Sequence, residues 1–371
     1  MTATPLPTID DVAVAAGVSR QTVSNVLNAP DIVREATRQK VRDAIDALGY
    51  RPHASARRPR TQTSSTIGIR MGALSRGGVS GAVLDRFLHA LTERADSRGM
   101  RIMLFTAADE AAEIEQYRRL RDGADVDALV VTGTAYGDAR LDWLADNGVP
   151  FVAFGRPWGS ADLDDPRRPW VDVDGADGVR QATVHLAGRG LRRIGYLGWP
   201  DGSGTGDDRR SGWVAAMREL FGDAGADGTT DADLESLTIR AEEGVAPARV
   251  ELERLLAGGT DLEALVCASD SLALGAMMAV REAGHPKFPV IGFDNTPVAG
   301  AVGLSSVDQQ LDQVALAVLD LLMGEHGRRV LNPDEIDGAR HRLVTPKLIV
   351  RRSSHLAPVD EAGSTASGTN E

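Results

Sequence analysis

At 371 residues the chain is too long for one compact core and fits two or three domains. Its 42% hydrophobic and 25% charged residues make an ordinary globular balance, and no apolar run approaches the roughly 18–20 residues of a membrane-spanning helix. One cysteine, Cys267, excludes an intrachain disulfide framework, and the start MTATPLPTIDDVA lacks the basic and apolar segments of a secretory signal. The expectation is a soluble cytoplasmic protein with no membrane association. The net charge of −12 is unevenly spread. Residues 1–62 hold nine basic and six acidic side chains, a net of +3, and the remainder holds 32 against 47, a net of −15. A basic head on an acidic body is the asymmetry of a DNA-binding module joined to another domain. On charge alone, a chance cluster on a solvated face explains it equally well.

Taken in chain order, the first fifty residues predict three helices and no strand. Thr8 caps a helix over 9–15, Gly17 supplies a turn, Ser19 caps a helix over 20–27, and a longer helix runs over 35–48 to Gly49. Val41, Ala44, Ile45 and Leu48 form its inward face. The pattern A-x-x-A-G-V-S-x-x-T-V-S over 13–24 signals a helix-turn-helix. Ala13 and Ala16 are small where two helices cross, and Val18, Val23 and Val26 point inward. Arg20, Gln21, Ser24 and Asn25 are left outside, where fork-shaped polar side chains suit base edges in a major groove. A plain helical bundle with a polar face is the alternative.

The Arg-, Pro- and Ser/Thr-rich stretch 51–66 reads as a linker with four arginines and no acid within 51–60. Beyond it, strand patterns at 66–71, 101–106, 127–132, 150–154, 193–198, 263–267 and 289–293 alternate with helical ones such as 82–95 and 272–283. Short apolar strands separated by helices predict parallel sheets covered on both faces. Two such runs, before and after residue 173, predict two doubly wound α/β subdomains with a cleft between them. Residues 158–170 and 222–233 read as loops, and the segment from Ser353 onward as a disordered tail.

The run T-I-D-D-V-A-V-A-A-G-V-S-R-Q-T-V-S-N-V-L-N (8–28) closely resembles the headpiece of lactose-repressor (LacI) family transcription regulators, and A-L-G-Y-R-P-H-A-S-A (47–56) continues the match. F-G-R-P (154–157), V-D-V-D-G-A-D-G (171–178), R-R-S-G-W (209–213), S-D-S-L-A-L-G-A-M (269–277), V-I-G-F-D-N-T (290–296), L-S-S-V-D-Q (304–309) and L-I-V-R-R-S (348–353) follow in order. The resemblance implies an all-α headpiece over 1–50, a hinge helix and linker over 51–64, and a periplasmic-binding-protein-like core over 65–352. Subdomain one takes about 65–173 and 309–338, subdomain two about 174–308 and 339–352, and 353–371 is the tail. It also implies a repressor that binds near-palindromic double-stranded operator DNA as a homodimer, with operator affinity altered by a small ligand, a sugar or oligosaccharide.

Carried over by position, Arg20 and Gln21 read the major groove with Asn25 nearby. Thr8, Ser19, Ser24, Asn28, Thr37 and Tyr50 contact phosphates and sugars. The hinge segment with His53, Ala56, Arg57 and Arg58 enters the minor groove. Pro59 stands where the family usually has a leucine wedge, and a proline also ends the hinge helix early. In the cleft, Arg156, Trp158, Trp199, Arg209, Ser269, Asp270, Asp294 and Gln309 fall at or near effector positions. Asp270 reads equally as a helix cap, and Trp213 equally as core or ligand contact. The resemblance implies dimerisation through helices 82–95 and 272–283, which carry surplus apolar residues including Met277 and Met278. No cofactor or metal is implied, because the glycine-rich run Gly202, Gly204, Gly206 lacks a following G-K-[S/T] and the histidines are scattered. The rival classes are a sugar-binding protein and an α/β sugar-processing enzyme. Without a secretory signal, a phosphate loop or an ordered nucleophile set, both rank below a regulator that is not an enzyme.

Overall fold

A computed structural model describes residues 8–28, 32–48, 64–71, 81–160, 163–222, 230–325, 327–331 and 339–355. The chain separates into two compact units, 1–63 and 64–371.

In the first unit α1 (Ile9–Ala16), α2 (Arg20–Asn28) and α3 (Glu35–Leu48) enclose a small core. Thr8 and Asp11 cap α1 reciprocally: the Asp11 amide donates to Thr8 Oγ1 at 3.3 Å and the Thr8 amide to Asp11 Oδ2 at 2.7 Å. Gly17 follows at φ +63°, the left-handed geometry that lets α2 turn away. Ser19 Oγ accepts from the Thr22 amide at 3.1 Å and opens α2. Val12, Val23 and Val41 are fully buried, with Ala13, Val26 and Ala44 beside them. Leu48, expected inward, is 37% exposed because it lies at the end of α3, beyond the reach of α1 and α2.

In the second unit the chain runs β1 (Thr66–Arg70), α4 (Gly81–Ser97), β2 (Arg101–Phe105), α5 (Glu110–Asp122), β3 (Ala128–Thr132), α6 (Ala139–Asp146), β4 (Phe151–Phe154) and β5 (Trp170–Val173). It continues through α7 (Gly175–Ala187), β6 (Ile194–Gly198), α8 (Gly204–Phe221), α9 (Asp231–Ser236), β7 (Thr238–Arg240), α10 (Val245–Ala257) and β8 (Ala264–Cys267). Then follow α11 (Asp270–Glu282), β9 (Val290–Phe293), α12 (Pro297–Val302), β10 (Ser305–Asp308), α13 (Leu311–Met323), β11 (His341–Val344) and β12 (Lys347–Ile349). Two six-stranded sheets result, ordered β2-β1-β3-β4-β5-β11 and β7-β6-β8-β9-β10-β12. All neighbours are parallel except β10 and β12. Each sheet forms one lobe, and the chain crosses between lobes after β5, after β10 and between β11 and β12.

The third crossing corrects the expected limits. The resemblance places residues 339–352 wholly in the second lobe, but His341–Val344 pairs in register with Trp170–Val173 of the first. Only β12 returns to the second sheet, through Ser306–Asp308. The expected tail begins later as well. Arg352–Ser354 forms a 3-10 turn, and Ser353 Oγ accepts from the Ser305 amide at 2.8 Å and donates to Val290 O at 2.6 Å. Residues 356–371 lie outside the described part. The loop expected at 222–233 gives way at Thr230, which caps α9. Trp213 is a core residue: it is fully buried, stacks on Tyr196 at 5.7 Å and donates its indole N–H to Ile194 O at 3.1 Å. No described helix is long and apolar enough to cross a membrane.

In the first lobe α13 buries Val314, Ala315 and Val318 against the Phe87 and Leu91 face of α4. Arg98, just past α4, donates to Asp320 of α13 at 2.6 Å, and both side chains are about nine-tenths buried. Replacing Asp320 with alanine strands a buried guanidinium, so urea denaturation of Asp320→Ala should show a loss of about 3 kcal/mol. A loss below about 0.5 kcal/mol would mean that water already solvates Arg98.

Candidate functional site

On the first unit, Arg20 and Gln21 are exposed on α2, while Ser24 and Asn25 are half-buried. Gln21 Nε2 donates to Asn25 Oδ1 at 3.0 Å, so the two amides are already aligned. Arg20 lies 3.7 Å from Asp10 with both side chains exposed, a pairing weak enough to exchange for another partner. Thr8 and Ser19 spend their hydroxyls on capping, and Thr37 sits half-buried on the first turn of α3. Asn28 ends α2. Tyr50, His53, Ala56, Arg57, Arg58 and Pro59 lie outside the described residues, as does the hinge they belong to.

In the second unit a cavity of about 380 Å³ opens between the lobes. Arg70, Thr132, Phe154 and Asp172 line it from the carboxyl ends of β1, β3, β4 and β5, the edge at which open α/β sheets receive ligands. Thr205, Asp208 and Arg209 of α8 face them from the other lobe, with Gln309 at the crossing. Arg156 joins the two sides: its Nε donates to Asp172 Oδ2 at 2.8 Å, and Nη2 lies 2.7 Å from Asp208 Oδ2. Burial pushes the Asp172 carboxyl up, outweighing the pull of Arg156.

Two aromatic contacts close the same rim. Trp158 lies under Arg156, 4.5 Å from guanidinium carbon to ring centre, and packs where a side chain on Gly204 would otherwise stand. Tyr136 packs on Gly159 and donates its hydroxyl to Asp207 Oδ2 at 2.9 Å, across the lobes. A Cβ at position 204 would overlap the Trp158 ring. Gly204→Ala should therefore displace the ring, at a cost of about 1–3 kcal/mol, and raise the solvent exposure of Trp158. Fluorescence quenching of a variant with Trp158 retained and Trp199→Phe reports this; unchanged quenching would mean the ring moves aside within the closed cleft.

The second-lobe candidates divide. Arg209 lines the cavity, 6% exposed, over the Phe293 ring at 3.7 Å, with one N–H given to Ala268 O. Asp294 lies behind it, 3.7 Å away, and accepts from Gln309 Nε2 at 2.6 Å. Trp199 and Ser269 both donate to Glu243 Oε2, at 2.6 and 2.9 Å. Neither expectation for Asp270 holds. It does not line the cavity, and the cap of α11 is Ser269, whose Oγ accepts from the Leu272 amide at 3.2 Å. Asp270 is a fully buried staple that accepts from Thr296 N at 2.7 Å, Thr296 Oγ1 at 2.8 Å and Ser306 Oγ at 2.6 Å. Of the eight expected positions, Trp158, Arg209 and Gln309 line the cavity. Arg70, Asp172, Asp208 and Glu243 were not singled out; only Asp172 lay inside a quoted motif, and Arg70 was visible only as the charge ending an apolar strand.

Asp294 is strained as well as buried. Its φ of +107° is a geometry a non-glycine residue adopts only when its surroundings enforce it. Burial pushes its carboxyl up to about 7, against the pull of Arg209. A folded value above the unfolded one favours the protonated fold, so this group's contribution is complete below about pH 4 and is lost as pH rises through 7. Urea titrations of wild type and Asp294→Asn at pH 5 and 8 should show the wild type losing about 2–3 kcal/mol more between the two. Parallel losses in both proteins would place the titration elsewhere.

Among the described residues no cluster of three or more His, Cys, Asp or Glu side chains is placed to hold a metal ion. Residues 8–53 match the model for bacterial regulatory proteins of the lacI family, and residues 183–354 match the periplasmic binding protein-like domain. The regulator CelR of Thermobifida fusca is 30% identical over 329 residues, covering 86% of this chain and 93% of its own. The regulator GalS of Salmonella typhimurium is 32% identical, covering 79% and 81%. Among solved structures, a LacI-family regulatory protein from Chloroflexus aggregans is 31% identical with a TM-score of 0.67, covering 78% of this chain and 98% of its own. A CelR–cellobiose complex is 26% identical with a TM-score of 0.63, covering 94% and 99%.

Proposed function

Since the chain belongs to the LacI family of bacterial regulatory proteins, whose members are DNA-binding transcription regulators and not enzymes, we propose that it is a cytoplasmic repressor that binds its operator as a homodimer and responds to a saccharide in the interlobe cleft. The observation carrying the effector reading is Arg209. It is 94% buried on the cavity wall, its Nε has no partner, and it comes from the lobe opposite Phe154 and Trp158. A donor with spare N–H groups between aromatic faces suits the hydroxyl edge and C–H faces of a sugar. The relative solved with cellobiose supports the same ligand class. Asp294, Ser269, Trp199 and Glu243 act as positioning residues behind Arg209. Asp172 and Asp208, both engaged by Arg156, shape the cavity between the lobes.

Arg20, Gln21, Ser24 and Asn25 read operator bases and flanking phosphates, with Thr8, Ser19, Asn28 and Thr37 fixing the register. Tyr50 joins the phosphate and sugar contacts, and His53, Ala56, Arg57, Arg58 and Pro59 extend the contact into the minor groove. The homodimer forms through the faces of α4 and α11, where Met278 is 42% exposed beside Met277 and Leu274 on an apolar groove. A near-palindromic operator then matches the two-fold axis of the pair.

Gel shifts with the upstream region of the protein's own gene test both halves. Gln21→Ala should weaken operator binding by about 1–3 kcal/mol, tenfold or more. Arg209→Ala should still shift the operator while no saccharide that releases the wild type releases it. Full release from Arg209→Ala would move the effector site away from this cavity, and undiminished binding by Gln21→Ala would remove α2 from the groove.

A further inference from the structure

The cavity carries a second guanidinium that the family pattern does not mark. Arg70 ends β1 and lines the wall opposite Arg209. Its Nη1 donates to Glu113 Oε2 at 2.9 Å, while its Nε is buried without a partner. Glu113 is itself fully buried and shared: Arg140 Nη1 reaches it at 3.0 Å, the Tyr117 hydroxyl also donates to it, and Arg140 pairs in turn with Asp138 at 2.6 Å. This network fixes Arg70 from behind, while 23% of its side-chain surface stays exposed.

The carboxylates of the cavity, by contrast, are already engaged. Asp172 accepts from the Val173 amide at 2.8 Å and from Arg156; Asp208 accepts from the Ala176 amide at 3.1 Å and pairs with the same Arg156. Guanidinium groups therefore stand on both walls, Arg70 on one and Arg209 on the other, and in each the buried Nε has no partner. What the cavity lacks is an acceptor. A hydroxyl satisfies one N–H, whereas a carboxylate takes two in the plane of a guanidinium and is bound more strongly. A guanidinium fork also binds phosphate, but the backbone amides that would add to a phosphate site at the starts of α7 and α8 are taken: Asp177 N by Asp174, Ala176 N by Asp208 and Gly206 N by Ser203.

We propose that Arg70 is a specificity-determining residue which, together with Arg209, selects an effector bearing a carboxylate, an acidic saccharide of the uronate class. The assignment rests on the reading of this cavity as the effector site.

The test is isothermal titration of the full-length protein with three probes: digalacturonate, cellobiose and glucose 6-phosphate. Digalacturonate should bind at least about tenfold more tightly than either other probe, the worth of one charged hydrogen bond. Arg70→Lys keeps a cation against Glu113 but loses the planar fork. It should cost about tenfold on digalacturonate and less than about twofold on cellobiose. If Arg70→Lys does not fold, the double variant Arg70→Met/Glu113→Gln, which removes both charges, replaces it, and the wild-type order of the probes decides in either case. Tighter binding of cellobiose or glucose 6-phosphate, or an equal effect of the variant on all probes, overturns the role of Arg70 and leaves the saccharide reading standing. If none of the three binds, both fall together.

Discussion

Arg156 is the group on which the cleft depends. Its guanidinium lies between Asp172 of one lobe and Asp208 of the other, and all three side chains are more than four-fifths buried. Two carboxylates at these positions without the arginine would face each other's charge in a poorly solvated gap, at a cost of several kcal/mol. With it, Asp208 is held where it also accepts from the Ala176 amide, so the first turns of α7 and α8 are fixed against each other. Trp158 then finds its place beneath Arg156, and Gly204 is the residue that leaves room for the ring.

The opposite rim is held by different chemistry. Arg86 of α4 donates to two carbonyls of the second lobe, Asp294 O at 3.0 Å and Asn295 O at 2.9 Å. Those carbonyls are presented because Asp294 and Asn295 both have positive φ, +107° and +47°. The strain at the end of β9 thus has a use at the lobe boundary. It turns the backbone so that its oxygens meet Arg86 while the Asp294 side chain reaches Gln309 and Arg209. A residue placed by such a turn is poorly replaced by one that only matches its charge.

The architecture was legible where one face of an element was apolar. The three headpiece helices and the strands built on runs such as ALVVT and EALVC follow from their patterns. Of the strands that went unseen, 170–173, 238–240, 305–308, 341–344 and 347–349, several carry polar residues engaged in tertiary bonds. In SSVD, Ser305 Oγ donates to Arg351 O and Ser306 Oγ to Asp270, so hydroxyls replace the apolar alternation that marks a strand. In the cleft, the motifs pointed to the right loops but not to which side chains line the space. Asp270 and Asp294 lie in adjacent motifs and are both buried acids. One binds only its own lobe and the other supports the cavity wall, a difference set by contacts 15 to 36 residues away in sequence.

An effector acts on this arrangement only through a difference in affinity between two states of the lobes. Since Arg156, Tyr136 and Arg86 join the lobes through the protein's own side chains, closure alone gives an effector little to add. The two guanidinium groups on facing walls are what remain. Arg70 is fixed to the first lobe by Glu113, and Arg209 to the second by the Ala268 carbonyl and the Phe293 ring. A ligand that bonds both at once is sensitive to the distance between two rigid bodies, and a ligand that reaches only one is not. Differential affinity, and with it any effect on the operator, therefore requires a molecule long enough and acceptor-rich enough to span the cavity from Arg70 to Arg209.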